Sequence, residues 1–497
     1  MKTEMKAFLD RWAEYQDLSK ASQVLEWDQE TMLPEGGAPA RGDHLATLAK
    51  VAHEKLVARD FRKALKEAEG AATAPRDKAM LREARRDHHR AAKIPGELVE
   101  EVTRAESRGL AAWRKAYRTS RWNDFESYIM TIVRLKRRVA DAVGYAGVPY
   151  DAMLDVYEPG ATVAELDPLL GALEEATKPL VRKIAASKKR PDGKIVTRKF
   201  PKDAQLAFGR EVVAAMGFDF SKGRIDLSTH PFCSGFGPGD VRLTTRVFED
   251  ELKPCLFGLI HEAGHGLYEQ GLDEKLQRTP VGTAVSLGIH ESQSRLWENV
   301  VGRSIPFWKH FLPKAQAVFP EQLGGVSLEA FHFAVNEVVP SFIRVEADEV
   351  TYNLHIVLRY GIEKGLFDGT IRPKDLPTIW NRRMKELLGI VPERDSEGVL
   401  QDIHWGMGLY GYFPTYSLGN LYAAQIWDAV KRDMPDIESR IEEGSFLPLR
   451  EWLRKKIHRW GREYPAAELM RRATGKTPDS RYFTEYVNAK YGELYDL

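Results

Sequence analysis

Two histidines four residues apart, with a glutamate directly after the first, occur at His261-Glu262-Ala263-Gly264-His265. On a helix that spacing stacks both imidazoles on one face, one turn apart, so both reach a single divalent ion. Glu262 lies beside them, where a carboxylate can take a proton from an attacking water and pass it to a leaving amine. With 13 histidines among 497 residues, chance supplies such a match about 0.03 times in a chain of this size. The flanking Leu259, Ile260, Leu267 and the glycines Gly264 and Gly266 are uncharged and suit a buried helix. A core helix whose histidines bond to backbone carbonyls is the structural alternative.

A catalytic zinc centre takes three protein ligands and leaves one position open. The third is sought in Gly288-Ile-His290-Glu291-Ser-Gln-Ser-Arg295-Leu-Trp-Glu298, which reads as a second helix. Glu291 follows His265 by 26 residues, the arrangement of peptidases whose third ligand is a glutamate on a neighbouring helix. His290 is the rival, but adjacent residues point apart on a helix and only one of the two can coordinate. Glu298 reads as a salt-bridge partner two turns along. Position 295, where many such peptidases carry an aspartate that orients a ligand, holds arginine, so the supports of the ligands must be built differently here.

Helices must carry most of this. From Asn123 to Gly144 the residues Phe125, Tyr128, Ile129, Ile132, Leu135, Val139 and Val143 form one stripe, with Asn123 or Asp124 as cap. Helical patterns also run from about Pro95 to Tyr117, Val163 to Ala186 and Leu328 to Gly365. Between Gly223 and Asp250 glycines, prolines and β-branched residues predict short strands in a small sheet. Gly406 to Tyr416 reads as a loop or broken helix.

The 73 Lys+Arg nearly cancel the 72 Asp+Glu, which argues against general nucleic-acid binding. No apolar run is long enough to span a bilayer, so no membrane partner is expected. The only cysteines, Cys233 and Cys255, cannot frame a small disulfide-held domain and read as buried packing residues. With no secretory signal at the N-terminus, a cytoplasmic location is expected. No Pro- or Ser-rich linker divides the chain, which favours one catalytic unit over residues 1–497.

Beyond the His-Glu motif, five segments resemble the carboxypeptidase Taq (M32) family of metallocarboxypeptidases. They are His230-Pro-Phe232, Asp240-Val-Arg242-Leu-Thr244, His290-Glu-Ser-Gln293, Ile343-Arg344-Val-Glu-Ala-Asp348 and Gly398-Val-Leu-Gln401-Asp402-Ile-His404-Trp405. Trp27 to Gly37 and Phe483 to Tyr495 are also similar, so the resemblance spans essentially the whole chain. It implies a mainly α, two-lobed fold around a deep groove, similar to angiotensin-converting enzyme and neurolysin. It further implies a homodimer, one zinc or cobalt ion per subunit, and release of single C-terminal residues from peptides with broad specificity.

That activity needs a cation for the substrate's terminal carboxylate, for which an arginine fork is suited. Arg344 is the first choice and Arg242 the second, since both fall in the shared segments. An oxyanion also needs donors. By analogy with the wider fold group, His404, Tyr412 or Tyr416 would close over the scissile carbonyl. His230 would line the groove or hold its turn, and Asp348 and Asp402 would orient the ligand imidazoles. His88, His89 and His458 read as surface residues from their basic surroundings. Two other readings stay open: a metal-dependent oligopeptidase or dipeptidase of the same fold group, and a non-catalytic helical scaffold with a metal site.

Overall fold

The computed structural model describes residues 2–497. Helices dominate, and among the described residues the one sheet has three strands, as the composition of that stretch predicts. They are β1 (Gly223–Leu227), β2 (Cys233–Gly237) and β3 (Asp240–Thr245). β3 is central, parallel to β1 and antiparallel to β2, with the register shifting between Gly235 and Gly237. Val241 and Leu243 point to the buried side of β3, as period-two alternation requires.

The described residues fall into two compact units, each assembled from three stretches of chain. One comprises the N-terminal stretch to Ala92, Asp192–Val335 and Ile426–Thr477. The other comprises Lys93–Pro191, Asn336–Gln425 and Pro478–Leu497. Because neither unit is contiguous, no linker or compositional change marks them in the sequence.

Two helical expectations shift at their ends. The stripe from Asn123 to Gly144 becomes a helix over Glu126–Val143, preceded by a 3-10 turn at Trp122–Asp124 that absorbs both expected caps. Phe125, Ile129, Ile132, Leu135 and Val139 are buried, whereas Tyr128 faces out. The pattern from Leu328 to Gly365 is two helices, Leu328–Val335 and Tyr352–Asp368, separated by irregular chain. Pro340 lies in that gap, where it removes a backbone donor and disfavours helix before it.

The His-Glu motif lies on the helix Lys253–Gly271, in the first unit. Its apolar residues are buried on every side, the pattern of a helix sunk into a core. Leu243 of β3 packs against Gly266, on one side of this helix. On another, Gly264 meets the backbone of Gln293 and Ser294, which belong to the helix Leu287–Arg295. Ser286 caps that second helix through its side chain on the Ile289 amide. Its C-terminal end widens into a π-helical turn over Leu296–Val301, which carries Glu298. Such turns are frequent where a helix must place a functional side chain.

Candidate metal centre

Three side chains of the first unit converge. The Nε2 atoms of His261 and His265 lie 3.7 Å and 3.4 Å from Oε2 of Glu291. All three ligand atoms fall within 4.8 Å of one another. Ligand atoms around a tetrahedral ion at about 2.0–2.2 Å stand roughly 3.3–3.5 Å apart, so the spacing suits one small divalent ion.

The remaining polar atoms of the trio are committed elsewhere, which aims the correct atom of each at the centre. Nδ1 of His261 is 2.8 Å from Oε2 of Glu298. Nδ1 of His265 is 3.1 Å from the His290 carbonyl oxygen. Oε1 of Glu291 accepts from Nε of Arg295 at 2.6 Å, and Ser294 Oγ donates to Oε2 at 3.2 Å. Arg295 also reaches Glu298 at 3.3 Å, and Arg303 reaches its other oxygen at 3.3 Å. The arginine at position 295 thus holds the Glu291 carboxylate itself, while Glu298 holds an imidazole. Glu298 is the ion-pair partner expected of it, and it serves as the orienting carboxylate that the sequence left unassigned.

Electrostatics follow from burial among these charges. Glu262 is 6% exposed, and its carboxyl is pushed up to about 7 by burial first and by Glu291 and Glu298, against the pull of His261 and Arg295. Burial would raise Glu291 as well, but Arg295 and the two histidines bring it far below the usual carboxylate range. Burial and His290 hold His265 down to about 3, so its imidazole stays neutral as a ligand must. Burial also works to lower His261, yet Glu291 and the Glu298 hydrogen bond carry it above the ordinary histidine value.

The other sequence candidates are placed as follows. Arg344, Asp402, His404, Tyr412 and Tyr416 belong to the second unit, as does Tyr352, which the sequence did not single out. Nε and Nη2 of Arg344 donate to Oδ1 of Asp402 at 3.1 and 2.7 Å, and Nη1 donates to Tyr352 Oη at 2.9 Å. The other Asp402 oxygen accepts from Nε of Arg359 at 2.6 Å. One buried carboxylate therefore serves two guanidiniums and leaves one positive charge over. His404 packs on Tyr412, Phe413 and Tyr416, and burial lowers its imidazole to about 4. Arg344 lies over the Tyr416 ring at 5.0 Å. Tyr416 opens the helix Phe413–Asp433, after the turn that the glycines of 406–411 form.

In the first unit Arg242 forms a two-pronged pair with Asp240, at 2.9 and 2.8 Å, and stacks over Trp27. His230 is exposed in the connection between β1 and β2, its carbonyl accepting from Ser228.

Three expectations are corrected. Asp348 spends its oxygens on the amides of Val339, Val350 and Thr351 and on the Thr351 hydroxyl, and Asp402 on two arginines, so neither orients a ligand imidazole. His458 is fully buried, not at the surface: its Nε2 meets Gln293 Oε1 at 2.9 Å and its ring lies on Tyr268. Cys255 is buried as expected, whereas Cys233 is half-buried and lines a cleft.

The comparisons agree over the whole chain. A family model described as carboxypeptidase Taq (M32) metallopeptidase matches residues 7–491. Thermostable carboxypeptidase 1 of Thermus thermophilus is 44% identical, over 96% of this chain and 96% of its own length. Carboxypeptidase 1 of Bacillus subtilis is 38% identical over 100% of this chain and 99% of its own. The crystal structure of the M32 carboxypeptidase from Deinococcus radiodurans superposes with a TM-score of 0.98 at 36% identity, covering 100% of both chains.

Proposed function

Since this chain belongs to the carboxypeptidase Taq (M32) family and is a metal-dependent carboxypeptidase, we propose that His261, His265 and Glu291 hold its divalent ion and that Glu262 is its general base. The observation that carries this is the convergence of two Nε2 atoms on one carboxylate oxygen, with each partner atom already committed. Two nitrogens and one oxygen suit zinc, with cobalt as the alternative.

Held by His261, His265 and Glu291, the ion would supply Lewis acidity for the scissile carbonyl and the attacking water. Glu262, held near 7 by its burial, takes the proton of the attacking water and delivers it to the departing amino group. A group poised near the operating pH can do both. The Arg344 cluster of the second unit, with its surplus positive charge, receives the terminal carboxylate of the peptide. His404, Tyr412 and Tyr416 are the assigned partners of the substrate carbonyl. Arg242 and His230 complete the substrate contacts, Arg242 with its fork already occupied by Asp240.

Release of single C-terminal residues with broad preference, a homodimer and a cytoplasmic location complete the proposal. They rest on the shared segments; no helix among the described residues is long and apolar enough to cross a membrane. Mass spectrometry of products from an unblocked peptide tests the reaction. A ladder of C-terminal losses that disappears with chelator and with C-terminal amidation is expected. Equal cleavage of the amidated peptide would instead make the enzyme an oligopeptidase. Glu262→Gln should keep its metal and lose at least ~100-fold in kcat, and near-normal turnover in that variant removes Glu262 from the mechanism. Light scattering measures the dimer.

A further inference from the structure

His290, the rival third ligand in the sequence, stands behind His265 rather than at the ion. Its Nδ1 lies 2.5 Å from Nδ1 of His265, and its Nε2 lies 2.9 Å from Oε1 of Glu269. Its ring rests on Tyr268 and is tilted against that of His265. Glu269 sits one helical turn beyond His265 on the same face of the motif helix. It is wedged there: a Cβ at Gly235 of β2 would come within 2.3 Å of its Oε2. Beyond it opens a cleft of about 460 Å³ that Lys20, Trp27 and Cys233 also line.

These contacts have a direction. Nε2 of His265 faces Glu291, so the proton of a coordinating, neutral His265 sits on Nδ1, shared between the His290 carbonyl oxygen at 3.1 Å and the His290 ring. For Nδ1 of His290 to accept that proton, the proton of His290 must sit on Nε2. Glu269, which can only accept when ionised, keeps it there. We propose that Glu269 and His290 form a hydrogen-bonded chain that locks His265 in its metal-binding tautomer, making both positioning residues for the ion. The assignment rests on the proposed ligand set. Without an acceptor at position 269, His290 is free to carry its proton on Nδ1. That proton then confronts His265 and favours the form protonated on Nε2, the ligand nitrogen.

The test reads zinc affinity by competition with a fluorescent chelator on the full-length protein, with apo-protein unfolding as a control for fold. Glu269→Leu should weaken zinc binding by about 10–100-fold. Glu269→Gln, whose amide oxygen still accepts from His290, should restore most of that loss. His290→Phe should weaken binding similarly, and adding Glu269→Leu to it should change little further, because the two act through one chain. Where Glu269→Leu does not fold, His290→Phe set against His290→Asn carries the same comparison, since Asn still offers an acceptor to His265. Affinity of Glu269→Leu within about threefold of the parent, no difference between Gln and Leu, or additive losses in the double variant would each overturn the chain. The ligand set is judged separately. If the parent protein binds no stoichiometric zinc, or binds it undiminished in His265→Ala, the centre itself is misassigned; if only the Glu269 and His290 variants behave as the parent does, the relay alone fails.

Discussion

Gly264 is the position where one methyl group should do the most damage to the metal centre without touching a ligand. A Cβ built there would stand 2.6 Å from Cα of Ser294, 2.7 Å from the Gln293 carbonyl oxygen and 2.9 Å from the Ser294 amide nitrogen. Carbon atoms in contact prefer about 3.5–4.0 Å, so the two helices must part by roughly 1 Å. All three obstacles are backbone, so no rotamer change relieves them. Glu291 precedes Gln293 on the displaced helix, while both histidines stay on the motif helix. A separation of 3.4–3.7 Å between ligand atoms would thus widen by a large fraction of that shift, where metal sites tolerate about 0.2 Å. Misplacement of a reacting geometry by about 1 Å costs roughly 100-fold in rate. Overpacking costs about 1–3 kcal/mol, from which the better helix propensity of alanine returns at most ~1 kcal/mol. Gly264→Ala should therefore bind zinc at least ~10-fold more weakly and lose about 100-fold in peptide hydrolysis at saturating zinc, while unfolding as a single, slightly less stable species. Chelator competition, a hydrolysis assay and thermal unfolding read the three quantities. If Gly264→Ala kept the parent's zinc affinity and turnover, the claim that backbone contact sets the ligand spacing would be refuted.

Further outcomes follow from the same contacts. Glu298→Gln removes the charge that holds Nδ1 of His261 at 2.8 Å and should cost about 10–100-fold in zinc affinity, measured by chelator competition. Zinc binding should strengthen with rising pH. His261 sits above the ordinary histidine value and must lose its proton to bind, whereas His265, at about 3, is already neutral and Glu291, far below its ordinary value, is already ionised. Glu262, at about 7, releases a second proton once a cation lies beside it, so zinc affinity should rise by roughly one to two log units between pH 6 and 7. A pH-independent affinity there would contradict the assignment. Asp402→Asn leaves two buried guanidiniums without their shared carboxylate and should destabilise the protein by about 3–5 kcal/mol in denaturant titration.

The residues of the centre were legible because their chemistry is encoded locally. His261 and His265 share a turn, and Glu291 and Glu298 share the next helix, so periodicity set these groups in two rows, while the choice of Glu291 over His290 came from the spacing of other peptidases. The departure at Arg295 was visible too, but its consequence was not: a sequence shows that an orienting aspartate is missing and cannot show which carboxylate replaces it. His458 went astray for a similar reason. Its neighbours Lys455, Lys456 and Arg459 are basic, which suggests a surface, yet its partner Gln293 lies 165 residues away in sequence. Local composition carries no trace of such a contact. The break after Val335 was hidden because the apolar spacing continues through Val338 and Val339, and only Pro340 interrupts it.

That distance between Gln293 and His458 also sets a timetable. The ribosome, at about 5–20 residues per second, needs roughly 8–33 s to make the chain between them. Throughout that interval the residues of both helices of the proposed centre lack the C-terminal segment that packs on them. The surroundings of the proposed centre are therefore complete only late in synthesis, after all three proposed ligands have been made.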